Sequence, residues 1–211
     1  MEFIETTSPE SAEGEVAAMY RRQQATWGYV PNYAKVFSHR PEVLARWGRL
    51  LAEIKRPMDK RRFELVTFAA ALQLKHSACA LAHGGALREY FSDREIRAIA
   101  ENRLDGILGD AEQAMVRLAR RVAEDASQVR SEDIEALSAH GCTDAEIFDI
   151  VATAAGRAFF TKLLDALGVL PDSSFQAFNE ELRRTLTVGR PIDTRPCAAI
   201  RMTTEGTAGD P

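Results

Sequence analysis

An all-α fold is predicted for this 211-residue chain by three features of its sequence. Ala, Leu, Arg and Glu dominate it, and all four favour helices or their exposed faces. Runs of alternating β-branched residues, the mark of half-buried strands, are missing. Apolar residues recur instead at helical spacing behind capping signals.

The elements follow in order. Residues 9–27 predict a first helix with Val16, Met19 and Tyr20 on its inner side. Trp27-Gly28-Tyr29-Val30-Pro31-Asn32 breaks the pattern as a turn. A short helix covers Tyr33–Phe37, and Pro41 suits the first turn of another that ends near Lys55, before Arg56-Pro57. Asp59 or a neighbour opens a helix over 60–73, where Phe63, Val66, Thr67, Ala70 and Leu74 keep helical spacing. Residues 77–90 form the next. Ser92-Asp93-Arg94-Glu95 and Thr143-Asp144-Ala145-Glu146 are capping boxes, the second opening a long apolar helix to about Leu167. Between them lie Asp110–Glu124, amphipathic through Ala114, Met115, Leu118 and Val122, and Ser131–His140, stopped by Gly141. Gly168 closes the long helix, Asp172–Leu186 is the last, and 187–211 read as a Gly, Pro and Thr-rich tail. One domain over residues 1–186 is therefore expected, followed by that tail.

With 45% hydrophobic and 27% charged residues, the chain carries enough apolar surface for a substantial core. A net charge of −4 argues against general nucleic-acid binding. No apolar run approaches the ~20 residues that span a bilayer. The start, M-E-F-I-E-T-T-S-P-E, lacks the basic and apolar parts of a signal peptide, so a cytoplasmic protein is expected. Its three cysteines, Cys79, Cys142 and Cys197, do not make a disulfide framework. Thiol chemistry here must begin with a single cysteine.

The segment E-L-V-T-F-A-A-A-L-Q-L-K-H-S-A-C-A-L-A-H, Glu64 to His83, carries the chemistry. Offsets of three and seven residues place Cys79 and His83 on roughly the same side of a helix as His76. A thiol one turn before an imidazole is a nucleophile beside its base. Should the chain break near Leu74–Ser77, Cys79 falls in a first turn, where the helix dipole favours a thiolate. Glu64 lies about 18 Å from His76 along one unbroken helix, so it reaches the thiol only if two helices fold together. A lone cysteine on an Ala-rich face ordinarily packs, and a lone histidine ordinarily hydrogen-bonds between helices. It is the joint placement, with a carboxylate among Phe63, Leu65, Val66 and Phe68, that points to a site.

Three further readings are weighed against it. His76, Cys79, His83 and Glu64 are all zinc or copper ligand types, but a triad spread over two turns lacks the usual helix-borne spacing, and no metal is assigned. Arg61, Arg62 and Lys75 are cations near the cluster, able to attract an anion but read as solvated surface. The aromatics of Trp27–Tyr33 read as core and turn rather than as a substrate lid.

The stretch from Gly28 to about Val169 resembles the alkylhydroperoxidase D and carboxymuconolactone decarboxylase superfamily, especially its peroxidase-related branch. The matching motifs are G-Y-V-P-N, H-R-P-E-V-L, R-R-F-E-L-V, H-S-A-C-A-L-A-H-G, H-G-C-T-D-A-E-I-F-D-I-V and F-F-T-K-L-L-D-A-L-G-V, starting at Gly28, His39, Arg61, His76, His140 and Phe159. The resemblance implies an all-α bundle that assembles as a homo-oligomer, a trimer or hexamer. It also implies that Cys79 attacks a hydroperoxide while Glu64 and His83 relay its proton, with no cofactor. In the family's Cys-x-x-Cys the first cysteine resolves the oxidised second one, and His76 stands in its place here. Thr161-Lys162 likewise stands where many relatives have Asn-Arg.

These departures leave three functions. The first is a one-cysteine peroxidase served by an external thiol reductant. The second is a cofactor-free lyase or isomerase acting on a small carboxylate or lactone, with Glu64, His76 and His83 as acids and bases. The third is a non-redox oligomer. The first leads, with Cys79, His83, Glu64 and His76 as its site.

Overall fold

The computed structural model describes residues 2–199, so positions 200–211 of the expected tail lie outside the described residues. Ten α-helices form within that span, and the one β contact among the described residues is an isolated bridge between Val30 and Ala198.

The centre is α4 (Lys60–Gln73), and its sequence explains why. Asp59 caps it by accepting from Arg62 N–H, and every residue from Phe63 to Leu72 is buried. A helix apolar on all sides must be surrounded. It packs against α5 (Ser77–Ala86), α7 (Asp110–Asp125) and α9 (Asp144–Ala166). The predicted stripe of α7 is buried, Ala114, Met115, Leu118 and Val122 included. Both capping boxes form, Ser92 with Glu95 ahead of α6 (Asp93–Ala100) and Thr143 with Glu146 ahead of α9. Gly141 and Gly168 adopt φ of 84° and 75° just past α8 (Ser131–Ala139) and α9, conformations that a Cβ disfavours.

A second, aromatic cluster joins α1 (Gly14–Trp27), α2 (Asn32–Val36) and α3 (Pro41–Lys55) to the far side of α9. Met19, Tyr20, Phe37, Trp47 and Phe160 belong to it, and so does Cys79. The thiol therefore sits where the two cores meet.

Three boundaries differ from expectation. The first helix starts at Gly14 rather than residue 9, because the Ser8 hydroxyl accepts from Ser11 N–H and holds a local turn. Residues 87–89 tighten into a 3-10 turn after α5. The segment 172–186 is not one helix: Ser173–Ala177 is a 3-10 turn, and Asn179 caps a separate α10 (Glu180–Leu186) by accepting from Leu182 N–H at 2.8 Å.

Residues 187–199 form a strap bonded to the body. Gly189 N–H donates to Ser77 Oγ at 2.8 Å, Arg190 Nη2 to Asp165 O at 2.7 Å, and Asp193 N–H to Pro171 O at 2.9 Å. A Cβ at Gly189 would stand 1.9 Å from the Lys75 carbonyl oxygen, so the strap cannot seat there with any other residue. Gly189→Val is expected to cost about 2 kcal/mol or more. The chemical-denaturation midpoint checks this, and an unshifted midpoint would mean that the strap contributes nothing to the fold. No helix among the described residues is long and apolar enough to cross a membrane.

Candidate active site

The site begins with a chain break that carries neither Gly nor Pro. Lys75 takes φ 55°, a left-handed conformation costing about 1 kcal/mol for an ordinary residue, and it turns the chain between α4 and α5. Local hydrogen bonds offset that cost. His76 N–H donates to Ala71 O at 3.0 Å, and the His76 ring caps α5, with Nδ1 accepting from Cys79 N–H at 3.2 Å. With the break made, α5 folds back on α4 and brings Glu64 to His83.

Glu64 Oε2 lies 2.6 Å from His83 Nδ1. Burial lifts the Glu64 carboxyl, but the hydrogen bond from His83 and nearby positive charges, Lys55 and Arg157 among them, outweigh it, holding the group below its ordinary value. Burial pushes the His83 imidazole down against the opposing pull of Glu64. The pair is thus a carboxylate and a neutral imidazole. Since a carboxylate only accepts, Nδ1 carries the proton and donates, leaving Nε2 with a free lone pair.

Cys79 is the third residue of α5 and 5% exposed. Burial pushes its thiol up, and the charge and hydrogen bond of Arg157, whose Nη1 donates to Sγ at 3.7 Å, pull it down without overcoming the burial. The sequence places the thiol correctly in a first turn but overstates its acidity, since burial there outweighs the favourable charges.

Arg157 is the residue that sequence reasoning missed. It is 4% exposed on α9, and its guanidinium carbon lies 5.8 Å from the Phe160 ring centre. Thr161, just after it, returns its hydroxyl to Arg157 O at 3.0 Å. Arg61 and Arg62, the cations that the sequence offered for anion binding, are instead paired with Glu112 at 2.7 Å and Glu146 at 2.8 Å. Lys75 is exposed.

Glu64, His76, Cys79, His83 and Arg157 all line one cavity of about 400 Å³, within the range of small-molecule sites. Trp27, Tyr29, Tyr33, Trp47, Phe160 and Phe175 supply an aromatic wall, so the Trp27–Tyr33 turn takes part in the site as well as the core. Asp172 lines it too, and burial lifts its carboxyl to about 6 while Asn32 N–H donates to it at 2.7 Å. Among the described residues, no group of three or more His, Cys, Asp or Glu side chains is placed to hold a metal ion. The three cysteines are free thiols, Cys142 and Cys197 being only partly buried.

His76 therefore does a structural task in this cavity. Its Nδ1 must stay unprotonated to accept from Cys79 N–H, and burial pushes the ring down to about 4. A ring that resists protonation when folded but titrates near 6.5 when unfolded stabilises the protein above that value and loses the contribution as pH falls toward 4. The loss amounts to roughly 3 kcal/mol. Asp172 works in the opposite sense: its contribution is present at low pH and is lost as pH rises through about 6. His76→Asn keeps a capping acceptor and removes the titrating ring, so its stability is expected to fall less than that of the native protein between pH 7 and 5. Urea midpoints at the two values decide it; equal losses would mean that the His76 ring does not control the acid response.

Fold and site together define a helical, thiol-bearing small-molecule cavity with a carboxylate–imidazole pair. The chain has the alkylhydroperoxidase D-like fold. A peroxidase-related protein from Ralstonia eutropha, described as an alkylhydroperoxidase AhpD core, superposes with a TM-score of 0.71 at 22% identity, covering 90% of this chain and 98% of that one. A peroxidase-related protein from Silicibacter matches with a TM-score of 0.72 at 18% identity, over 83% of this chain and 94% of its own. The debrominase Bmp8, as a cysteine-to-alanine variant in complex with 2,3,4-tribromopyrrole, matches at 0.66 and 15% identity, over 80% and 91% of the two chains. No protein-family model and no curated protein sequence matches the chain.

Proposed function

We propose that the protein is a one-cysteine peroxidase in which Cys79 reduces an organic hydroperoxide inside the aromatic cavity. The observation that carries this reading is the shared cavity: a cysteine hydrogen-bonded by a buried arginine, beside an imidazole whose Nδ1 is fixed by a carboxylate at 2.6 Å. His83, one turn after Cys79, takes the thiol proton on Nε2 as base, and Arg157 stabilises the thiolate. The sulfur attacks the terminal peroxide oxygen, an S–O bond forms and the O–O bond breaks. The leaving alkoxide takes the proton from His83 and departs as an alcohol. Cys79 is oxidised by two electrons to a sulfenic acid. An external thiol then displaces water from it, and a second thiol releases the resulting mixed disulfide and restores Cys79.

The existence of peroxidase-related proteins and of a debrominase on this fold supports reactive small-molecule chemistry at the site. Assembly as a homotrimer or hexamer belongs to the same reading. Phe148 and Phe159, three turns apart on α9 and 69% and 49% exposed, offer apolar surface for it.

Intact-mass analysis with and without cumene hydroperoxide, in the presence of a sulfenic-acid trap, tests the reaction. One trap adduct on Cys79 is expected. Peroxide consumption without that adduct, or no consumption at all, would overturn the reading.

A further inference from the structure

The cavity's charges are unevenly satisfied. Glu64 is engaged by His83, and Asp172 accepts from Asn32 N–H, so both carboxyl groups have partners. Arg157 has no ion-pair partner among the described residues. Its Nη1 donates to the Cys79 sulfur, its Nε is buried without a partner, and no carboxylate lies within ion-pair distance among the described residues. An arginine cannot shed its proton to escape burial; Glu64 is near enough for the two charges to act on each other, but without a direct ion pair a buried cation remains costly. A guanidinium kept in this state on a cavity wall is arranged to receive a negative group from outside, for which its planar fork suits a carboxylate.

The wall beside it defines the rest of the ligand. The Arg157 guanidinium lies over Phe160, which stacks with Trp47 at 6.1 Å and 14° and meets Tyr33 edge-on at 5.4 Å. Flat aromatic surfaces around a void favour a ring as occupant.

We infer that the cavity binds a small aromatic carboxylate, with its carboxylate on Arg157 and its ring among Trp47, Phe160 and Tyr33. The inference names the ligand class of the proposed peroxidase site and rests on that reading only in taking this molecule as substrate body or product; the binding itself needs no redox step. Because Cys79 shares Arg157, a bound carboxylate also competes with the thiolate for the guanidinium.

The chain has two tryptophans, Trp27 and Trp47, and both line the cavity, so intrinsic fluorescence reports occupancy directly. Benzoate and its neutral isostere benzamide are titrated into the native full-length protein, Cys79→Ser and Arg157→Gln. Saturable benzoate binding is expected, at least tenfold tighter than benzamide, retained in Cys79→Ser and lost as a preference in Arg157→Gln. Benzoate, and not benzamide, is also expected to slow iodoacetamide alkylation of Cys79. Equal binding of the two probes by the native protein overturns the inference whether or not the arginine variant folds. So does a preference that survives in Arg157→Gln. The Cys79→Ser titration separates the two proposals: benzoate binding there stands even if no peroxide oxidises the native thiol.

Discussion

Cys79→Ser is expected to abolish peroxide turnover, and Glu64→Gln to leave about one per cent of it. The two losses differ because the residues contribute differently. A serine hydroxyl in that position has neither the acidity nor the nucleophilicity to attack peroxide at neutral pH. In the proposed reaction Glu64 acts through His83: its carboxylate accepts from Nδ1 at 2.6 Å, which leaves Nε2 free to take the thiol proton. A glutamine at 64 removes that charge and presents either a carbonyl or an amine to the ring. With the amine facing Nδ1, the imidazole turns to the wrong tautomer. General acid–base assistance of this kind is worth about a hundredfold or more. Glu64→Gln should also move the acid limb of the rate profile to lower pH, since His83 must be neutral to take the proton and Glu64 is what holds its imidazole up against burial. Stopped-flow peroxide reduction at several pH values reads both effects. If Glu64→Gln kept full activity with an unchanged profile, the relay would be refuted even with Cys79 essential.

Much of this arrangement is legible in the sequence where local rules decide it. The capping boxes at Ser92 and Thr143 satisfy their helix ends through side chains three residues apart, so four letters suffice to find them. Glu64 announces itself because a carboxylate surrounded by Phe63, Leu65, Val66 and Phe68 must be partnered. The break at Lys75 is less legible. It uses no Gly or Pro, and part of what holds it is the distant strap, where Gly189 N–H meets Ser77 Oγ across 112 residues of sequence. The failure of 172–186 to run as one helix is also tertiary. Phe178 lies over Gly85, where a Cβ would come within 2.9 Å of the ring, and Asn179 starts a fresh helix beyond it.

Arg157 is hidden for a different reason. Arginine ordinarily belongs to the solvated face, and composition gives no cause to look further. The signal that does exist is one of register. Ile147, Ile150, Ala154, Thr161 and Leu164 are the buried stripe of α9 at alternating three- and four-residue steps, and position 157 falls on that stripe. A charge on a core stripe is expensive and calls for a reason. Here the reason is placed at the sulfur of Cys79.

Arg157→Met makes that argument measurable, because it should move stability and reactivity in opposite directions. Methionine reaches about as far and fills the space with apolar atoms, removing a buried cation that lacks an ion-pair partner. Replacing buried ionic groups with apolar ones of similar size is often neutral or stabilising by about 1–2 kcal/mol. The thiol should respond the other way. The charge and hydrogen bond of Arg157 are what pull the Cys79 thiol down against its burial, so without them it rises further. Each unit of rise lowers the thiolate fraction at neutral pH about tenfold. The expected phenotype is an unchanged or higher melting temperature with alkylation and peroxide oxidation of Cys79 slowed at least tenfold at pH 7, the rates recovering at alkaline pH. A variant that melts lower yet reacts at the native rate would make Arg157 a packing residue and remove it from the chemistry. Both changes together would mark Arg157 as a cation held at a cost in stability for the sake of the thiol beside it, a stability–activity trade-off at atomic scale.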